Sequence, residues 1–142
     1  MIVPDINLLI YAYNSDAPHH AAARKWWEGL MNGRRPIGIP AVVTVGFIRI
    51  ATTSAVLERP FPVAETFDIV ESWFSRRQVA WLEPGPRALD IFREAMILSH
   101  ATGRLATDAY VAALAIENAA ELHSNDADFG RFSGLRWVNP LE

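Results

Sequence analysis

Four aspartates hold the residues in this chain best suited to chemistry: Asp5, Asp108, Asp126 and Asp128. Asp5 closes the short apolar run Ile2-Val3, and Asp126 and Asp128 follow a run that ends near His123. Asp108 lies in the first turn of a segment whose middle, Val111 to Ile116, is apolar all round. Carboxylates brought together repel one another unless a cation neutralises them or some are protonated. With no cysteine in the chain and no histidine cluster, an oxygen-only ligand set selects a hard cation such as Mg2+ or Mn2+. A bound cation of that kind promotes deprotonation of water, polarises phosphate and stabilises a leaving oxygen. The expected chemistry is therefore phosphoryl chemistry at a site built from these acids.

Each acid also has a plain structural role open to it. Asp5 can cap a helix that begins at Ile6 or Asn7, and Asp126 can cap the short turn after it. Asp108 can complement a helix dipole, worth about 0.3–1 kcal/mol. Jointly these structural roles explain less, because all three acids would converge at one edge of the sheet built from the elements that carry them.

Those elements alternate. Strands are expected at Ile2-Val3, Ile37 to Ile39, Val79 to Leu82, Glu121 to His123 and Leu135 to Val138. Helices are expected over Asn7 to Tyr13, His19 to Met31, Ala41 to Thr53, Val63 to Arg77, Arg87 to His100 and Leu105 to Asn118, with a helical turn from Asp126 to Phe132. The β-branched run from Val42 to Ile50 would also suit a strand; its length and the leading Pro40 favour a helix. Strands alternating with helices imply an α/β fold whose mostly parallel sheet is covered on both faces. In such sheets ligands bind outside the carboxyl ends of the strands, where Asp5 and Asp126 stand.

Composition narrows the rest. The 142 residues suit one domain spanning 1–142, and the 51% hydrophobic content excludes a disordered chain. Without cysteine, disulfides and thiolate chemistry are excluded. No apolar run reaches the roughly 20 residues of a membrane helix, and the start is not a signal peptide, so a cytoplasmic location is expected. The net charge of −3 does not announce a nucleic-acid binder, yet all but one of the 13 basic residues are Arg, which favours bidentate phosphate contacts.

Other groups carry less. His19 and His20 do not share a helical face, and His123 and Ser124 would point to opposite faces of a strand. Arg34-Arg35 and Arg76-Arg77 are either solvated helix ends or a rail for an RNA backbone. Trp26, Trp27, Trp73 and Phe74 read as core or as a groove for a partner helix.

Four stretches resemble PIN-domain ribonuclease toxins of the VapC type. They are Pro4-Asp5-Ile6-Asn7-Leu8-Leu9-Ile10-Tyr11-Ala12; Phe47-Ile48-Arg49 with Ala51-Thr52; Thr107-Asp108-Ala109 with Ala112 to Ala115; and Ser124-Asn125-Asp126-Ala127-Asp128-Phe129 with Gly130-Arg131-Phe132. The ending, Gly134 to Leu141, is similar too. The resemblance implies a PIN-like α/β/α sandwich and an endoribonuclease dependent on Mg2+ or Mn2+. It also implies a homodimer neutralised by a VapB-type antitoxin. It carries the metal-ligand role to Asp5, Asp108 and Asp126, with Asp128 in or near the site. Asn7 and Thr107 would support these ligands, and Arg49 would reach a phosphate or a carboxylate. One position departs: where such toxins commonly have glutamate before Phe-Ile/Leu-Arg, this chain has Gly46. That leaves three or four acids. The alternative reading is a PIN-fold module that holds RNA or protein without cutting. A Mg2+-dependent phosphatase for small substrates is the third.

Overall fold

The computed structural model describes residues 1–142. Five short strands, β1 (Ile2–Pro4), β2 (Ile37–Ile39), β3 (Val79–Trp81), β4 (Glu121–His123) and β5 (Arg136–Val138), form one sheet. Their order is β3-β2-β1-β4-β5, and every pairing is parallel. Six helices connect and cover them: α1 (Ile6–Tyr13), α2 (His20–Met31), α3 (Ala41–Ala51), α4 (Val63–Phe74), α5 (Ala88–Ser99) and α6 (Ala106–Glu117). The α/β expectation with a parallel sheet is borne out. β1 and β2 are buried at every residue, the pattern of strands covered on both faces.

The long apolar run after Pro40 is a helix, α3, despite its β-branched residues. Burial of Val43, Phe47 and Ala51 at helical spacing outweighs the propensity of single residues. It ends at Ala51, two residues before the expected Thr53, where Thr52 hydroxyl donates back to the Ile48 carbonyl. Likewise α4 stops at Phe74 rather than Arg77.

An aromatic knot joins four helices inside the core. Tyr13 hydroxyl accepts from both indole N–H groups, Trp27 at 3.2 Å and Trp73 at 2.9 Å, and Phe47 packs edge-on against Trp73. Trp27 and Trp73 are buried, whereas Trp26 is only half-buried.

Strand order sets the position of any site. From β1 the chain builds outward through β2 and β3, then returns to lay β4 and β5 on the other side of β1. The connections that leave β1 and β4 therefore run to opposite sides of the sheet, which opens a crevice at the carboxyl ends of those two strands. That switch point is where open parallel sheets bind ligands.

Candidate active site

Asp5 and Asp126 come from the two sides of this crevice. Asp5 is buried (7% exposed) and caps α1: its Oδ1 accepts from the Ile6 N–H at 2.8 Å. Its Oδ2 accepts from the Ser124 hydroxyl at 2.7 Å, and that hydroxyl in turn accepts from the Asp126 N–H at 3.0 Å. Asp126 Oδ1 accepts from the Asp128 N–H at 2.9 Å, capping the 3-10 turn Ala127–Arg131. Both capping roles foreseen for these acids are thus present, and neither uses up a carboxylate's acceptor sites. Backbone bonds hold the frame, with the Asp5 N–H on the His123 carbonyl and the Ser124 N–H on the Val138 carbonyl.

Asp108 enters from the first turn of α6. Its pKa is raised from 3.8 to about 6, first by burial and then by the charges of Asp5, Asp126 and Asp128; Arg104 pulls it partly back. Asp5 is also raised, chiefly by burial, against the lowering effect of the Ser124 hydroxyl and the Ile6 N–H, with Asp126 adding to the rise. The charges of Asp5, Asp126 and Asp128 thus all reach Asp108. Asp128 feeds that repulsion while pairing loosely with Arg131 at 3.6 Å.

No three Asp, Glu or His side chains close around a single point. This is consistent with their mutual repulsion, because charge acts over several ångströms whereas ligation needs contact near 2 Å. An oxygen donor set in which burial and neighbouring carboxylate charge raise Asp5 and Asp108 fits a hard cation. Magnesium in particular is held by one or two carboxylates, with water completing its shell.

The remaining expected residues divide. Thr107 and Arg49 line a cavity of about 340 Å3 with Ile6, Val42 and Gly46. Asn7 is exposed in the first turn of α1. A larger cavity, about 420 Å3, lies between α1 and α2 against Tyr13, His20, Arg24 and Trp27 and contains none of the four acids. The paired arginines are not a rail beside the site. Arg34-Arg35 precede β2 and Arg76-Arg77 precede β3, so in an all-parallel sheet they lie at the amino edge, away from the acids. Arg35 is moreover tied to Glu121 at 3.0 Å.

Two residues of the site escaped sequence reasoning. Ser124, fully buried, ties Asp5 to the Asp126 backbone; the Ser-x-Asp spacing, a turn in which a hydroxyl takes the N–H two residues on, was the available signal. Arg104 precedes Asp108 by four residues, the spacing of an ion pair on one helical face.

Comparison with known proteins agrees with this fold. The family model for the PIN domain matches residues 2–135. The chain is 43% identical over 141 residues to Ribonuclease VapC33 of Mycobacterium tuberculosis, covering 99% of each. It is 34% identical over 140 residues to Ribonuclease VapC37 of the same organism, covering 99% of this chain and 97% of that one. Among solved structures, VapBC2 from Rickettsia felis bound to a promoter DNA fragment superposes with a TM-score of 0.70 at 20% identity over 98% of both chains. Mycobacterium tuberculosis VapC20, described as a sarcin-ricin loop cleaving toxin, superposes with a TM-score of 0.68 at 14% identity, over 96% of this chain and 99% of that one. At such identities the two structures speak for the fold.

Proposed function

This chain belongs to the PIN-domain family, and from that premise we propose that it is an endoribonuclease dependent on Mg2+ or Mn2+, the toxin half of a toxin–antitoxin pair. The observation that supports the reading is the Asp5–Ser124–Asp126 hydrogen-bond chain at the β1–β4 switch, with Asp108 raised to about 6 by burial and by the charges of Asp5, Asp126 and Asp128. Asp5, Asp108 and Asp126 are the residues that would hold the ion. When bound, the ion supplies an activated water and charge neutralisation at the phosphate.

The chain's own groups do the rest. Ser124 and the Ile6 N–H lock both oxygens of Asp5, so its carboxylate cannot rotate away from the crevice. Asp126 is fixed through its own N–H on the same hydroxyl. Asp128, on the turn that Asp126 caps, supports the site from beside it. Arg49 and Arg104 offset the repulsion between substrate phosphate and carboxylates. Arg49 takes part in none of the chain's ion pairs.

The toxin role rests on relatives named VapC ribonucleases at 34–43% identity over nearly the whole chain. Structural neighbours described as VapBC complexes support a VapB-type partner. A homodimer is part of the reading, and the adjacent Ile97 and Leu98 on α5 are exposed and available to such a contact. So is a single PIN domain over residues 1–142. No helix is long and apolar enough to cross a membrane, and a toxin acting on RNA would work in the cytoplasm.

The test is digestion of total RNA by purified protein with Mg2+ or Mn2+, with EDTA, and with Asp5→Asn. Discrete cuts that vanish with EDTA and in the variant are expected. A second reading, an RNA- or protein-binding module that does not cut, is favoured by one observation: Gly46 supplies no carboxylate to the site. Folded protein that cuts nothing under any metal would establish that reading instead.

A further inference from the structure

The cavity beside the acids has a construction of its own. Val42, Val45, Gly46 and Arg49 line it from one stripe of α3, at the i, i+3, i+4, i+7 spacing of a single helical face. Ile6 and Thr107 close it from the other side. These two are the chain neighbours of Asp5 and Asp108, so the cavity and the carboxylates share a wall.

Gly46 determines its floor. A Cβ at this position would lie 2.4 Å from Ile6 Cδ1, so the Ile6 side chain lies where any other residue at 46 would project. The floor is consequently apolar, and Val45, 62% exposed, keeps the mouth apolar too. At the far end of the stripe Arg49 is free of carboxylate partners. The volume of about 340 Å3 sits at the small end of ligand sites, about 300–1,000 Å3. Apolar walls, one hydroxyl at the side and a free guanidinium at the end match a planar ring that carries a phosphate.

Resting on the nuclease reading above, we propose that this cavity seats an unstacked nucleobase adjoining the scissile phosphate. Arg49 grips that nucleotide's phosphate, and Gly46 with Ile6 sets which bases are accepted. Single-stranded RNA is read in this manner, by splaying bases out of the stack into protein pockets.

The experiment takes a short RNA spanning one cut mapped in total RNA and replaces each nucleotide in turn by an abasic one. KM and kcat are measured for the wild type, for Gly46→Val and for Val45→Trp. One abasic position adjoining the cut should raise the wild-type KM about tenfold, the scale of losing the burial of roughly 50 Å2 of apolar surface. Each variant should raise KM for the intact RNA, and the same abasic substitution should then add nothing, because both changes remove one contact. Val45→Trp fills the cavity from the exposed rim without adding a side chain at position 46, and keeps the test valid if Gly46→Val fails to fold. Effects that multiply, or no sensitive base beside the cut, would overturn the proposal while leaving the nuclease intact. A wild type that cuts no RNA would overturn both.

Discussion

Replacing Asp108 by Asn should stabilise the metal-free protein while removing its activity. The neutral Asn keeps the size of the carboxyl group and lacks its charge. In the folded chain the Asp108 pKa stands at about 6 against 3.8 for the free group, through burial first and the neighbouring aspartates second. Ionised Asp108 thus disfavours the fold. At about 1.4 kcal/mol per pH unit the full gap amounts to about 3 kcal/mol. Asp108 is only half-buried, and solvent screening reduces the figure to about 1–2 kcal/mol. The sign follows from proton linkage. The folded state holds its proton more tightly, so the penalty is absent below about 3.8, grows as pH rises and is complete above about 6. For a chain of this length 1–2 kcal/mol corresponds to a rise in Tm of roughly 3–8 °C. Thermal unfolding in EDTA at low salt and pH 7.5 should show that rise, and at pH 4 most of it should be gone. Adding Mg2+ should stabilise the wild type more than the variant, because an ion relieves a repulsion the variant no longer has. A variant that melts at or below the wild-type temperature at pH 7.5 would refute the idea that these acids repel one another.

Other outcomes follow from the same geometry. Ser124→Ala removes the hydroxyl between Asp5 and the Asp126 N–H; Mg2+ affinity, read by calorimetry, should fall about 10- to 100-fold, with about 1–3 kcal/mol of stability lost. Asp5→Asn keeps an acceptor for the Ile6 N–H, so its circular dichroism should match the wild type while RNA cleavage falls at least ~100-fold; full activity would remove Asp5 from the site. Tyr13→Phe strands two buried indole N–H groups, those of Trp27 and Trp73, and urea unfolding should report a loss of about 1–3 kcal/mol. His123 is held below its usual pKa by burial, and its Nδ1 accepts from the Trp26 indole. Since the folded chain resists protonating it, stability contributed there should be complete above about 6.5 and decline as pH falls, a trend that His123→Gln should flatten in a pH series of melts.

The order of the elements and the standing of Asp5, Asp108 and Asp126 at their ends were legible from the chain alone. Hydrophobic period, prolines and turn residues act over a few positions, so α3 could be read as a helix beneath its β-branched residues. In a parallel sheet every strand carries its carboxyl end to the same edge, so the acids after Ile2-Val3 and after His123 had to share that edge. The strand order is another matter. That β4 lies against β1, opening the crevice between them, depends on pairing residues about 120 apart, and no local pattern encodes it. The same pairing brings Ser124 onto Asp5. Gly46 in sequence was only a missing carboxylate. Its meaning as the floor beneath Ile6 came from a contact 40 residues apart, because packing between elements, unlike propensity within them, is decided by what the rest of the chain brings alongside.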